Sequence, residues 1–318
     1  MDAWFGIDIG GTSVKTALVD NVGHILVSQS FDTGAERDAE TVAVRIKDTL
    51  ELLKARLKDG GSTCQVHGAG VGIPGFLDLD TGIVAEAVNL GWTDVPFQSM
   101  LEQLLQLPVA MENDANLAAL GEAFAGAGAD RRVVLCATVG TGIGGGIVID
   151  GRLHRGVNGM AGEIGHLVVK RDGGILCNCG HHGCLETVAS ATAIVRQAQA
   201  LQSAGKLPAD KVVTEAKDVF DLAERGNEAA LSVITDAANW LGYGLSLAAI
   251  TLNPDVIVIG GGVSRAEERF LMPMQAAFEQ YALERVAQAA EVRAATLSND
   301  AGVIGAARLA QQRVSSNA

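Results

Sequence analysis

The sequence predicts an α/β protein of two domains. The chain has 318 residues, more than one compact core usually organises. Segments with the apolar spacing of strands alternate with segments that have the spacing of helices. A glycine-rich hairpin pattern occurs twice, and we expect one copy near the start of each domain. Together these three observations favour two related α/β domains.

The repeated hairpin pattern reads DIGGTSVKTALVD at residues 8–20 and TVGTGIGGGIVID at residues 138–150. Each copy ends one apolar run, turns through glycines and continues as a second apolar run, and Gly10 falls on Gly140. Such turns expose backbone N–H groups that bind anions, so two of them facing each other would hold a polyphosphate. The alternative is two ordinary hairpins, but the in-register duplication favours a phosphate clamp.

Two GxGxxG matches raise the possibility of a dinucleotide site. They are GVGIPG at residues 70–75 and GTGIGG at residues 140–145. A dinucleotide site requires a helix directly after the glycines. Here Pro74 interrupts the first match and Gly146 leads the second into a strand pattern, and there is no Walker A sequence. We therefore reject a Rossmann-type site.

The remaining segments place the other elements in order. We expect a helix over residues 36–61, a strand with a tight glycine-proline loop and a hairpin over residues 66–84, and a strand that runs into a helix over residues 107–128. That last helix should begin at Asn113-Asp114 and end at Gly126.

The C-terminal third of the chain shows the same alternation. A long helix should end at Asn253-Pro254, before a buried strand that runs into three glycines. The carboxyl end of such a strand is where α/β proteins usually receive a ligand. A closing helix over residues 300–313 is expected to pack on the N-terminal domain.

Three of the five cysteines lie close together in HLVVKRDGGILCNCGHHGCLE at residues 166–186. His166, Cys177, Cys179 and Cys184 offer one imidazole and three thiolates, a set that suits a structural tetrahedral zinc ion. His181 and His182 compete for the fourth position, and three unliganded thiols are the alternative to a metal site. The density of cysteines with intervening glycines favours zinc.

A zinc ion would fix the ring of His166 and leave its second nitrogen available for another partner. Glu163 and Glu186 are its neighbours in sequence. Two carboxylates beside a fixed imidazole can hold the vicinal hydroxyl groups of a sugar. We therefore expect the metal to shape a polyol pocket and to take no direct part in chemistry.

Two aspartates allow alternative interpretations. Asp114 is either the N-cap of its helix, which the local sequence slightly favours, or a carboxylate that accepts a hydroxyl proton in phosphoryl transfer. Asp8 is either a turn residue or a group near metal-bound phosphates.

Composition excludes several classes of protein. A net charge of −13 disfavours binding to nucleic acid. The longest apolar run contains five glycines and reads as strand-turn-strand, so no membrane segment is expected, and no signal-peptide pattern opens the chain. An odd, clustered set of cysteines suits a reducing compartment, and we expect a cytoplasmic protein.

Seven segments resemble the ROK family (repressors, open reading frames, kinases), most closely its bacterial ATP-dependent glucokinases. The similarity extends from about Phe5 to about Ala307, and its H…CxCGxxGCxE pattern is highly specific, whereas DIGGT is shared more widely among sugar kinases and related ATPases. The segments are DIGGTSVK, GIPGFLD, NLGW, ENDANLAALGE, VGTGIGGGIV, NGMAGEIGHLVV and CNCGHHGCLETVASATAIVR.

The resemblance implies two actin-like, ribonuclease-H-like α/β domains with a cleft between them and a small zinc-binding insertion. We expect a smaller domain of residues 1–113 with the C-terminal helix 302–318, and a larger domain of residues 114–301. The repressors of the family carry a helix-turn-helix ahead of this part, for which we expect no room before the first strand. Family members are commonly dimers or tetramers, so a homodimer or homotetramer is expected.

The resemblance also implies roles for particular residues. Asp114 is similar to the general base on the sugar 6-hydroxyl, and Asp8 would lie by the Mg²⁺-bound phosphates. The expected sugar ligands are Asn113, Glu163, His166 and Glu186, with Gly75 and Asn89 at the pocket's edge. The expected nucleotide contacts are Gly10, Gly11, Thr12, Lys15, Thr138, Gly140, Thr141 and Gly142, with Gly261 and Gly262 at the adenosine.

The implied reaction transfers the γ-phosphoryl group of Mg-ATP to the 6-hydroxyl of glucose. Two alternatives stay open at this point. One is the same chemistry on mannose, N-acetylglucosamine or N-acetylmannosamine, which differ at C2. The other is a sugar sensor that binds without turnover, although both glycine loops and Asp114 would then be unnecessary.

Overall fold

The computed structural model describes residues 1–33, 38–208 and 212–316. The first two residues of the predicted helix over 36–61 lie outside the described residues. The chain forms two compact units. Unit 1 comprises Met1–Asp130, Gly146–Ala161 and Thr296–Ala318, and unit 2 comprises Arg131–Gly145 and Gly162–Ala295. Residues 114–130 thus belong to the same compact unit as the N-terminal residues. The division into functional domains, with a boundary at residue 114, stays a prediction.

Unit 1 is built on a five-stranded sheet in the order β3-β2-β1-β4-β8. The first three strands are antiparallel, and β4 runs parallel to both β1 and β8. The strands are β1 (Asp2–Ile9), β2 (Ser13–Val19), β3 (Ile25–Asp32), β4 (Gln65–Ile73) and β8 (Val109–Asn113). A second, three-stranded sheet contains β5 (Phe76–Asp78), β6 (Ile83–Ala87) and β7 (Trp92–Val95).

Helices complete unit 1. They are α1 (Ala39–Asp59), α2 (Phe97–Leu105), α3 (Asp114–Ala125) and α10 (Ala301–Ser316). The main core includes buried residues of β1, β4, α1 and α2, while Trp4, Val303 and Ala307 belong to a second cluster beside α10. Because Gly6 and Gly70 have no Cβ, the backbone of α10 approaches β1 and β4 closely. The expected packing of the closing helix on the N-terminal part is confirmed.

The second five-stranded sheet has the order β11-β10-β9-β12-β13, and the division between the units falls within β10. Its strands are β9 (Val133–Val139), β10 (Ile143–Ile149), β11 (Arg152–Leu153), β12 (Val256–Gly260) and β13 (Glu291–Ala294). The helices of unit 2 are α4 (Glu186–Ala189), α5 (Ala191–Ser203), α6 (Ala216–Glu224), α7 (Glu228–Leu252), α8 (Met272–Tyr281) and α9 (Glu284–Ala289). Strand β12 is parallel to β9 and β13.

The predicted element boundaries are largely confirmed. Both glycine hairpins form, as β1-β2 and β9-β10, and each GxGxxG match leads into a strand and not into a helix. Helix α3 begins and ends where Asn113-Asp114 and Gly126 predict. Helix α7 ends at Asn253, which adopts a left-handed conformation with φ of 51° directly before Pro254.

A membrane-spanning helix needs about 20 consecutive apolar residues. Over the described ranges, none of the helices combines the length and the apolar character needed to cross a bilayer.

Candidate functional site

The junction of β8 and α3 presents Asn113 and Asp114 at the carboxyl end of a sheet strand. Asn113 is extended, and its side-chain oxygen accepts a hydrogen bond from the Ala115 N–H at 2.9 Å. The N-cap is therefore Asn113, and the cap interpretation of Asp114 is wrong. Asp114 is the first helical residue, and its carboxylate also accepts from the Ala115 N–H at 2.9 Å. Burial nevertheless raises the pKa of Asp114 above its usual range.

Glu112 holds this junction in place, and the sequence analysis assigned it no role. Its side chain is only 2% exposed. One oxygen accepts from the Asn113 N–H at 2.9 Å and from the Asn116 amide at 3.0 Å, and the other accepts from Arg155 Nε at 2.5 Å. A buried carboxylate is stable only when it is paired in this way. Its place in the ENDAN segment, directly before two polar residues of a strand end, was the available signal.

Asp8 lies near the carboxyl end of β1, in register with Lys15 of β2 and Gly72 of β4. Burial and, next, the negative charge of Asp114 raise the pKa of Asp8, Lys15 opposes them, and the resulting pKa is about 6. The two carboxylates thus interact within unit 1. A Cβ at Gly302 would collide with the Asp8 carboxylate, so glycine is required where α10 begins.

Lys15 extends to the segment before α10. Its Nζ donates to the Asn299 carbonyl at 2.9 Å and forms an ion pair with Asp300. Asp300 is a second residue that the sequence analysis missed, because a pairing 285 residues apart leaves no local signal. Lys15 is therefore oriented by a carboxylate from the far end of the chain.

The first glycine turn joins β1 and β2. Gly10 donates to the Ser13 carbonyl at 2.8 Å, whereas the N–H groups of Gly11 and Thr12 have no partner among the described residues. A Cβ at Gly11 would lie 3.4 Å from Cβ of Asn89. The structure therefore brings Asn89 next to a turn with available N–H groups, an arrangement that can bind anions.

Gly75 lies within reach of Asn113. The Asn113 amide approaches the Gly75 carbonyl at 3.5 Å. Gly75 has a φ of 154°, and a Cβ there would overlap the backbone of Glu86. Only glycine fits this position.

The second glycine turn belongs to unit 2 and joins β9 to β10. Gly140 donates to the Gly142 carbonyl at 3.0 Å and accepts from the N–H of Ala191 at 2.9 Å. Thr138 is in register with Gly260 of β12. Gly261, with a φ of 89°, touches the backbone of Val139, while the space around Gly262 is open. The expected adenosine residues and the second turn therefore lie side by side, with Thr141 inside that turn.

His166, Cys177, Cys179 and Cys184 converge, with their donor atoms all within 4.8 Å of one another. Cys177 Sγ lies 3.6 Å from His166 Nδ1, and Cys179 Sγ lies 3.5 Å from Cys184 Sγ. Hydrogen bonding from the His181 backbone lowers the pKa of Cys179 to about 6, which favours the thiolate that a metal binds. One imidazole and three thiols fit tetrahedral zinc.

The rival histidines are placed differently. His182 Nδ1 contacts the Gly174 carbonyl at 3.0 Å, and His181 Nδ1 contacts Cys179 Sγ at 3.6 Å without joining the group of four donors. The expectation that His166 is the imidazole donor agrees with this geometry.

Glu163 and Glu186 flank the His166 ring. A Glu163 oxygen lies 3.8 Å from Nε2, and a Glu186 oxygen lies 4.0 Å from Nδ1. The Cys177 thiol donates to Glu186 at 2.9 Å. A Cβ at Gly142 would lie 2.6 Å from the other Glu186 oxygen, so the second glycine turn adjoins this carboxylate. Unit 2 thus brings together four donor groups that could hold a metal ion, two carboxylates and a glycine turn.

Comparisons with known proteins agree with this arrangement. The ROK family model matches residues 4–313. A glucokinase of Halalkalibacterium halodurans is 46% identical over 99% of this chain and 97% of its own. The ROK hexokinase of Thermus thermophilus has a TM-score of 0.85 and 33% identity, covering 99% of both chains. A ROK glucokinase of Streptomyces griseus, solved with glucose and AMPPNP, has a TM-score of 0.78 and 36% identity, covering 98% of this chain and 99% of its own.

The family match spans nearly the whole chain, and the fold similarity extends over both compact units. The architecture is the actin-like α/β fold of the ROK sugar kinases. The chain belongs to the ROK family.

Proposed function

We propose that this protein is an ATP-dependent glucokinase, which transfers the γ-phosphoryl group of Mg-ATP to the 6-hydroxyl of glucose. The similarity that supports this reaction extends over the whole chain, to a glucokinase at 46% identity and to a ROK glucokinase solved with glucose and AMPPNP. The observation that carries the proposal is the state of Asp114. Asn113, and not Asp114, caps the helix, and burial raises the pKa of the Asp114 carboxyl group.

Asp114 is the proposed general base. A carboxylate at a rigid strand-helix junction can accept the proton of the sugar hydroxyl as phosphoryl transfer begins. A raised pKa makes it a stronger base, provided that it stays ionised at the working pH. Its neighbour Glu112 positions it through Asn113 and does not itself touch substrate.

The proposed sugar ligands are polar groups held by their own surroundings. Asn113, Glu163, His166 and Glu186 would bind hydroxyl groups, with Gly75 and Asn89 at the edge. Donors and acceptors that lose their water when the sugar binds reject a sugar that lacks the matching hydroxyl far more strongly than size alone can. A pocket lined by carboxylates therefore discriminates among hexoses more strongly than an apolar pocket would.

The proposed nucleotide ligands are the two glycine turns. The N–H groups of Gly11 and Thr12, which have no partner among the described residues, would bind phosphate oxygens together with Thr138, Thr141 and their neighbours. Gly261 and Gly262 would adjoin the adenosine, and Lys15 would offset phosphate charge. Mg²⁺ accompanies ATP in such kinases, and Asp8 would lie by the metal-bound phosphates.

The proposed zinc ligands are His166, Cys177, Cys179 and Cys184. When bound, zinc would tie the irregular segment around these residues together and fix the imidazole ring. His166 Nε2 faces Glu163 and not the thiols, so this nitrogen would be available to a sugar hydroxyl. In this role the zinc is structural.

Three further features are proposals. We propose functional domains of residues 1–113 with 302–318 and of residues 114–301. A homodimer or homotetramer is proposed because oligomers are common in the family. The cytoplasm is the proposed location, where ATP is present and the cysteines would stay reduced.

Initial rates of ADP release with Mg-ATP test the reaction. They should be compared across glucose, mannose, N-acetylglucosamine and N-acetylmannosamine, and we expect kcat/KM to be highest for glucose. A preference for another hexose would keep the mechanism and change the substrate. Sugar binding by folded, metal-loaded protein without any ADP release would contradict the enzyme and favour a sensor.

A further inference from the structure

A cavity of about 530 Å³ in unit 1 lies apart from the residues assigned above. Its wall is formed by the hairpin that ends in β11, by the last turns of α10, by the start of α2, and by parts of β8 and the turn after β5. Its polar lining includes Asp80, Arg152, Arg155 and Arg313. This volume is in the range of small-molecule sites in proteins.

The charge of this wall is opposite to that of the chain. Arg152, Arg155 and Arg313 line the cavity with a single carboxylate, that of Asp80, whereas the whole chain has a net charge of −13. Two of the three guanidinium groups are already paired, Arg155 with Glu112 and Arg313 with Glu102, and neither carboxylate lines the cavity. Among the described residues, Arg152 is the lining guanidinium group that has no ion-pair partner, so an anion in the cavity would mainly offset its charge.

The guanidinium groups also retain unused donors. Arg152 is exposed, and its guanidinium group has no hydrogen-bond partner within the part of the chain that the structure describes. Arg155 uses Nε for Glu112 and leaves its two terminal nitrogens without a partner among the described residues. Arg313 is more fully engaged, because it donates from one terminal nitrogen to Glu102 at 3.1 Å and both terminal nitrogens lie within 3.2 Å of the Gln98 side-chain oxygen. Planar, paired N–H donors of this kind match the oxygens of a phosphate group.

We propose that this cavity binds a phosphorylated small metabolite, with the phosphate group held by Arg152, Arg155 and Arg313. A phosphomonoester fits better than inorganic phosphate alone, because the cavity is larger than one phosphate fills and Leu79, Leu153 and Leu309 supply apolar wall for a carbon skeleton. Asp80 opposes the anion and tunes its affinity.

The cavity is connected to the candidate base through ion pairing. Arg155 contacts Glu112, and the other oxygen of Glu112 holds the N–H of Asn113, which adjoins Asp114. An anion that draws Arg155 away from Glu112 would loosen this junction. We therefore expect a phosphorylated metabolite bound in the cavity to raise the KM for glucose. This expected effect on KM is the second step of the proposal, and it rests on the proposed function.

Titration calorimetry with ribose 5-phosphate tests the site. The full chain is saturated with glucose and AMPPNP, so that the proposed catalytic subsites are filled, and inorganic phosphate serves as the smaller probe. Arg152→Gln should weaken ribose 5-phosphate binding by at least about fivefold, and Asp80→Asn should tighten it. Arg225→Gln removes the same charge from an exposed position at the end of α6 and should change nothing.

The outcomes are distinct. Because the Arg152 guanidinium group has no partner among the described residues, its variant should keep the wild-type melting temperature, and a loss of binding would then report the site. Equal affinity in wild type and Arg152→Gln, no binding by the wild type, or loss of binding only in Lys15→Gln would overturn the proposal. Binding that is intact while the glucose KM stays unchanged would contradict the second step.

Discussion

The β8-α3 junction and the segment from Glu163 to Glu186 both present carboxylates for chemistry, but they are built in different ways. The junction follows a central parallel strand, and Asn113 caps the helix while a buried Glu112 fixes the backbone. The other segment holds one short 3-10 turn, Ile164–His166, and isolated bridges, and its histidine and cysteines converge as a possible metal centre. We expect the sheet to hold the first region in place and the cysteines to hold the second.

Because of this difference, we expect substitutions in the two regions to have different effects. A substitution at the junction should remove chemistry and leave the fold, because sheet and helix hold the backbone without the substituted side chain. A substitution in the cysteine segment should remove the local structure itself, and with it the orientation of His166, Glu163 and Glu186. Turnover is therefore expected to depend on Asp114, whereas sugar binding is expected to depend mainly on the cysteine segment, with Asn113 as the sugar ligand at the junction.

The largest effect is expected at Asp114. Asp114→Ala should lower kcat by about 10²- to 10⁴-fold, the usual contribution of a positioned base, while glucose affinity changes little. Steady-state kinetics and equilibrium glucose binding measure the two quantities. Asp59→Asn, an exposed carboxylate at the end of α1, is the matched control. A kcat near that of the wild type in Asp114→Ala would exclude the base assignment.

Loss of one cysteine should have the next largest effect. Cys179→Ser is expected to lose the bound metal, to melt at lower temperature, and to bind glucose about ten- to a hundredfold more weakly. Elemental analysis and thermal unfolding provide the readouts. Cys64→Ser, a free thiol of unit 1, controls for the loss of any cysteine. One zinc per chain and an unchanged glucose affinity in Cys179→Ser would contradict the ligand set.

Asp8 is expected to lower the free energy of unfolding at neutral pH while it supports activity. Its folded pKa of about 6 lies above the ordinary 3.8, so the folded state holds the proton more tightly, and stability is full below 3.8 and is lost as pH rises through 6. Asp8→Asn removes this loss and should stabilise the protein at pH 7.5 by up to about 3 kcal/mol.

The check for Asp8→Asn is chemical unfolding at two values of pH. The gain in unfolding free energy should be clear at pH 7.5 and should shrink near pH 4, while kinase activity falls at both. Asp59→Asn should show no such dependence. A destabilised Asp8→Asn protein at pH 7.5 would refute the raised pKa.

The smallest expected effect is a shift in the acid limb of the pH profile. Asp114 must be ionised to accept a proton, and burial raises its pKa, so kcat should fall with acid at a pH above the ordinary range of a carboxyl group. Zinc content measured at each pH separates this titration from metal loss. A kcat that stays constant down to about pH 4.5 would argue against Asp114 as the base.

Local patterns in the sequence were sufficient to predict the two glycine hairpins and the end of α7. Glycine turns between apolar runs located β1-β2 and β9-β10, and Asn253-Pro254 located the end of α7. The cysteine spacing identified the four donors because they lie within 19 residues of one another, from His166 to Cys184. These features depend on neighbours along the chain, which is why a pattern can report them.

Long-range pairing limited the prediction of the site. The sequence assigned the cap of α3 to Asp114, since both residues at the junction are good caps, and only the backbone geometry selects Asn113. Asp300 pairs with Lys15, and Arg155 with Glu112, across large separations in sequence. The sequence pattern around a buried carboxylate in a strand does not indicate which distant residue forms an ion pair with it.

Titration of glucose into Asp114→Asn and Cys179→Ser, in the absence of nucleotide, tests the comparison most directly. The account expects Asp114→Asn to bind glucose with nearly wild-type affinity and Cys179→Ser to bind it at least about tenfold more weakly. The opposite result, with glucose binding lost in Asp114→Asn and retained in Cys179→Ser, would contradict the assignment of chemistry to the junction and of sugar binding to the cysteine segment.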